Sequence, residues 1–110
     1  MDIKKLYADV CISVGEIPLY TFLLYCDSFA RMLISKYGSK YAIGAGEYFA
    51  PTSLEESFAV ADEFYLAALL YIKAEVSGGD LTKSSLAADR AYLTLWRQNA
   101  KNKRILKEAW

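Results

Sequence analysis

The stretch from Ser53 to Gly79, SLEESFAVADEFYLAALLYIKAEVSGG, sets the tightest limits on how this chain folds. Between Phe58 and Ile72 only Asp62 and Glu63 interrupt a run of apolar and tyrosine side chains. A helix with apolar surface on nearly every side must be covered on most sides by other elements. Ser53 stands three residues before Glu56 in the S-x-x-E spacing of a capping box, and Glu55 and Glu56 suit the positive end of a helix dipole. Gly78 offers a left-handed stop after the last turn. The pattern predicts a central, buried helix over about 54–77. Its unbroken apolar part, Phe64–Ile72, falls far short of the roughly 20 residues that a bilayer requires.

Three further helices are expected around it. Ile3, Leu6, Tyr7, Val10, Cys11 and Val14 recur every three or four residues, with Asp2 as N-cap and Gly15 as stop, which predicts a helix over 3–14. Leu19, Phe22, Leu23, Cys26, Phe29, Ala30, Leu33 and Tyr37 mark the core stripe of a helix over 18–37, entered through Pro18 and closed by Gly38. After Gly78-Gly79, Asp80 or Thr82 caps a helix over 81–106 whose register, Leu81, Ser85, Ala88, Tyr92 and Leu95, carries it along the core to about Trp96. The segment 39–52 breaks the helical pattern. Its glycines at 44 and 46, and aromatics at 41, 48 and 49, suggest a small hairpin or an aromatic loop. The expected fold is all-α: one domain over 1–110, with four helices and an aromatic hairpin or loop between the second and third.

Chemistry is hard to find in these residues. There is no histidine, which removes the commonest general base and the commonest nitrogen ligand for metals. Asp62 and Glu63 are adjacent, so on a helix they point about 100° apart and cannot serve one substrate together. One of them is expected to be buried against a basic partner such as Arg90 or Arg97. Asp27 and Arg31, four apart, form an ordinary helix-surface pair. Gly44 and Gly46 lack the lysine and strand–helix frame of a phosphate loop. Cys11 and Cys26 fall on apolar helix faces; reduced, buried thiols are the favoured reading, with a disulfide as the less supported alternative. The expectation is a protein that is not an enzyme, with no catalytic residues, cofactor or metal.

Charge supplies a different clue. Residues 1–80 hold six basic and eleven acidic side chains, and residues 81–110 hold seven and two, so balances of −5 and +5 cancel to the net zero of the chain. Such a split suits head-to-tail contact between identical subunits, or a basic tail near nucleic acid. Arg97, Lys101, Lys103, Arg104 and Lys107 are the candidate DNA-facing residues, although no recognition-helix motif accompanies them. Ile105, Leu106 and Trp110 form an apolar tip beyond this basic sleeve, which calls for a partner. With Tyr41, Tyr48, Phe49 and Trp96 they are the candidate subunit or partner contacts.

The stretch FAVADEFYLAALLYIKAEVSGGDLTKSSLAADRAYLTLWRQNAKNK, about Phe58 to Lys103, combines an apolar central helix, a Gly-Asp turn and a helix of A-x-x-Y-x-x-L-W type. This layout resembles the small head–tail connector (adaptor, neck) proteins of tailed bacteriophages and prophages. The resemblance implies a non-catalytic structural protein that assembles as a homo-oligomeric ring between portal and tail, with viral DNA passing through it. It implies contact with portal and tail proteins, non-specific contact with DNA and no membrane. It also implies a place in the bacterial cytoplasm during assembly and in the virion thereafter. The acidic N-terminal opening common in that family is absent here. The alternatives from the residues alone are a small helical DNA-binding or regulatory protein that uses the basic C-terminal helix, and a peptide-binding helical adaptor.

Overall fold

The computed structural model describes residues 1–38 and 48–108, with side chains as far as Gln98. The described residues form four α-helices and no strand. These are α1 (Ile3–Val14), α2 (Leu19–Tyr37), α3 (Tyr65–Ser77), preceded by a 3-10 turn over Asp62–Phe64, and α4 (Thr82–Glu108). The all-α, four-helix expectation holds. The proposed hairpin or loop over 39–52 lies for the most part outside the described residues; Tyr48–Ala50 are irregular.

Each helix end has a local cause. The Asp2 carboxylate accepts a hydrogen bond from the Lys5 amide at 3.1 Å and so caps α1. Gly15 ends α1 at φ +90°, and its N–H donates to the Cys11 carbonyl. Asp80, rather than Thr82, supplies the cap of α4: its carboxylate accepts from the Thr82 amide at 3.0 Å and the Thr82 hydroxyl at 2.7 Å. Those bonds, the hydroxyl's first, hold the Asp80 carboxyl below its ordinary pKa. Gly78 takes the left-handed conformation, φ +70° and ψ 24°, as a stop to α3 requires.

The third helix starts later than its sequence suggests. Residues 54–64 are not part of it; Ser53–Glu56 make a tight turn and Ser57–Ala61 run extended. The Glu56 carboxylate bonds the Thr52 amide at 2.9 Å, instead of returning to Ser53 as a capping box would. Phe58 and Val60 are buried while Ala59 between them is exposed, the period-two pattern of an extended segment. Their carbonyls, which a helix would have used internally, each accept from the Met1 ammonium at 3.1 Å. Burying two large side chains and pairing two carbonyls outweighs the modest helix preference of this run.

Helix α3 is central: it packs against α1, α2 and α4. One cluster of buried residues joins all four helices, built on Leu6 and Val10 of α1, Phe22, Phe29 and Leu33 of α2, Ala68 and Ile72 of α3 and Ala88 of α4, with Phe58 and Phe64. Tyrosines tie its margins. Tyr65 of α3 donates its hydroxyl to Asp9 of α1, and Tyr37 of α2 donates to Asp89 of α4. The apolar body of each lies against the core while the polar tip finds an acceptor.

Candidate interaction surface

The seam between α3 and α4 is lined with small residues. Ala67 and Ala68 of α3 meet a face of α4 on which Ser84, Ala88 and Ala91 are buried. The Ser84 hydroxyl donates to the Ala67 carbonyl at 3.0 Å, a fully buried contact that joins the two helices. Helices whose facing side chains are this small approach closely. The large side chains on either side of such a seam are then pushed to its rim. The buried stripe of α4 therefore differs from the expected register: Ser84 takes the place assigned to Ser85, and Leu81 is exposed.

At that rim lies an open groove of about 570 Å³. Glu63, Leu66 and Leu70 form one wall, and Lys83, Leu86, Arg90 and Thr94 the other, with Ala87 and Ala91 between. Leu66 is 58% exposed and Leu86 55%. Leu93 and Trp96 continue the apolar exposure along α4, with Trp96 half exposed. Helix α3 is thus apolar on most sides, as its sequence indicates, yet one of them is left uncovered by the described residues.

The charged residues expected at the core are at the surface instead. Asp62 and Glu63 are both exposed. Asp62 forms an ion pair with the Met1 ammonium at 3.1 Å, and neither acidic residue is buried against Arg90 or Arg97. Lys83, Arg90 and Arg97 recur every seventh residue along α4, are exposed, and form no ion pair among the described residues. Asp27 and Arg31 pair at 3.1 Å as expected.

The candidate contacts are divided among different elements. Tyr48 is half-buried beside α2, with the Arg31 guanidinium 5.9 Å from its ring centre. Its hydroxyl is enclosed without a hydrogen bond of good geometry. Burial, reinforced by the Asp27 carboxylate, pushes its pKa up. Phe49 beside it is 77% exposed. Trp96 and Arg97 stand on α4, so the structure does not gather the predicted aromatics into one site. Lys101, Lys103, Arg104, Ile105, Leu106 and Lys107 lie within the α4 backbone, but their side chains are outside the described residues, as are Tyr41 and Trp110. Sequence reasoning missed the wall residues Leu66, Leu70 and Leu86. The alternation of small and large residues on α3 and α4 is the signal that carries them.

Both cysteines are free thiols. Cys26 is buried, and burial pushes its thiol up to about 12, which leaves it unreactive; Cys11 is only partly buried. Among the described residues no three Cys, Asp or Glu side chains gather as a metal site. No single described helix is long and apolar enough to cross a membrane. In comparisons with known proteins, no family model, curated protein or solved structure matches this chain.

Proposed function

We propose that this chain is a non-catalytic assembly protein, a head–tail connector subunit of a tailed phage or prophage that builds a ring between portal and tail. The observation that carries the reading is the apolar groove between α3 and α4, bounded by Leu66, Leu70 and Leu86 and left uncovered by the described residues. Apolar surface left open and rimmed by charge is what an interface requires before its partner arrives. The order of helices and the Gly-Asp turn support the same reading through the resemblance described above. Its partners are copies of itself and the portal and tail proteins, in the host cytoplasm during assembly and in the virion thereafter. The test is the solution mass, by light scattering over a range of concentrations, of the full chain and of a version ending at Gln98. A defined oligomer that falls to a single chain on truncation supports assembly through the C-terminal part of α4. A full chain that stays monomeric and binds neither portal nor tail protein overturns the reading.

A second reading, DNA binding through α4, draws support from the exposed stripe Lys83, Arg90 and Arg97. It predicts an affinity that falls with salt at a logarithmic slope of about −0.9 per phosphate contacted. Replacing Lys101, Lys103, Arg104 and Lys107 together by alanine tests it; undiminished DNA retention rejects it.

A further inference from the structure

The groove has a counterpart elsewhere on the same chain. The chain bends by 110° between α1 and α2 across the four residues 15–18, so the two helices form a corner. Ile12 is 83% exposed there and Tyr20 73%, with Leu19 and Leu24 also exposed. Isolated exposed apolar residues are ordinary; four within thirteen positions on either side of one bend are a concentration that calls for a reason. The corner is also held in shape. The Tyr7 hydroxyl donates to the Ile17 carbonyl at 2.6 Å, Ile17 is buried, and the rings of Tyr7 and Phe22 lie 4.8 Å apart. A rigid knob loses little freedom on docking.

Charge says which surface would receive it. From Val10 to Cys26 the one side chain of full charge is Glu16, which is exposed at the bend and forms no ion pair among the described residues; Lys4, which lies beside Ile12 and Glu16, is already paired with Glu55 at 3.0 Å. The groove carries Lys83 and Arg90 on its α4 wall against Glu63 on the other, a balance of +1. Neither basic residue has a partner within the chain among the described residues. An apolar knob with one negative charge thus matches an apolar groove with a net positive rim. The two patches share no residue. Contact between them is head-to-tail, and such contacts generate rings or open filaments rather than closed two-fold dimers.

We infer that the α1–α2 corner of one copy, led by Ile12 and Tyr20, docks into the α3–α4 groove of the next, with Glu16 set against Lys83 and Arg90. This deepens the ring-assembly reading above and rests on it. The inner faces of α1 and α2 are occupied by the protein's own core through Leu6, Val10, Phe22 and Cys26, so it is the outward residues at the corner that are available to dock.

The experiment uses full-length chains and light scattering at high and low concentration, with circular dichroism to check helicity. One variant carries Ile12→Asp and Tyr20→Asp, the other Leu66→Asp and Leu86→Asp; all four positions are exposed, so the core is untouched. The wild type is expected to form species larger than two chains, and each variant alone a single chain. An equimolar mixture of the variants is expected to stop at two chains, because one intact knob and one intact groove remain between them. Glu16→Lys should weaken association by about tenfold and Arg90→Glu in the same chain should restore it. Variants that assemble like the wild type overturn the inference but leave ring assembly through another surface standing. A mixture that stays monomeric also overturns it, because the intact corner of one variant would then have failed to bind the intact groove of the other; a corner variant that still assembles alone would point to a groove-to-groove contact and overturn it likewise. A wild type that is monomeric at every concentration overturns it as well, and binding to portal protein then decides the wider reading separately. Corner-dependent binding to lipid vesicles in place of self-association would overturn it too, by making the corner a membrane contact.

Discussion

The two sides of helix α3 are packed in opposite ways. Toward α2 the contacts are large and aromatic: Phe29 meets Tyr71 with ring centres 5.4 Å apart, and Phe64, in the turn that leads into α3, meets Tyr37 at 6.1 Å. Toward α4 the contacts are small, with Ala67 and Ala68 set against Ser84 and Ala88. The aromatic side encloses its large residues; Phe22, Phe29, Phe58 and Phe64 have almost no exposed surface. The alanine side brings two backbones together and leaves its leucines outside. Stability is therefore concentrated on one side of α3 and available surface on the other.

The difference can be broken or sharpened by substitution. Phe29→Ala should cost the most, about 3–5 kcal/mol from lost burial and the cavity left behind. That is a large part of the 5–15 kcal/mol typical of a domain, so urea unfolding followed by circular dichroism should show a partly unfolded variant. A loss below about 1 kcal/mol would mean that the aromatic side does not carry the fold. Ala88→Leu should cost about 1–3 kcal/mol by forcing α4 away from α3. If Ala88→Leu were neutral by the same measurement, the close seam would not be what sets the leucines outward.

A smaller effect is expected at the tie between α2 and α4. The Tyr37 hydroxyl first, and then Lys36 at 2.9 Å, hold the Asp89 carboxyl below its ordinary pKa. A lowered folded value means that this contribution is present above the ordinary aspartate pKa, about 4, and is lost as pH falls through the folded value. Asp89 is about half exposed, so solvent screening keeps the contribution under about 1 kcal/mol. Asp89→Asn should thus lose stability against the wild type at pH 7, with the gap closing toward pH 2. A gap that widens in acid would reverse the assigned sign. Least of all, Leu66→Ser and Leu86→Ser should each change the stability of the dilute monomer by no more than about 0.5 kcal/mol, as exposed positions do. A melting curve shifted well beyond that would show these leucines to be core rather than surface.

Much of the architecture was legible in the chain because helix signals are local. The α1 boundaries, Ile3–Val14, follow from Asp2, Gly15 and a spacing of three and four residues. The core stripe of α2 was readable as well, since Phe22, Cys26, Phe29, Ala30 and Leu33 are all buried. The start of α3 was not. Ser53 and Glu56 have capping-box spacing, but the box is a local preference worth about 1 kcal/mol. The burial of Phe58 and Val60, together with the bonds from their carbonyls to Met1, acts across more than 50 residues of chain and prevails. The rotation of α4 by about one position has a similar origin: Ser85 and Ser84 are equivalent in propensity, and only contact with Ala67 distinguishes them.

The candidate surface was less legible still. Exposed aromatics and basic residues could be named one at a time, but neither the groove nor the corner is a segment of sequence. The groove needs Leu66 and Leu86, twenty positions apart, to flank a seam of alanines, and the corner needs two helices to meet at a fixed angle. By itself the sequence determined the number of helices, their principal faces and most of their ends, because caps, glycines and apolar periodicity act within a few residues. Only the tertiary structure decided which apolar side chains are enclosed and which are left for a partner. Burial depends on how closely two backbones approach, and that distance is set by side chains remote from one another in the chain.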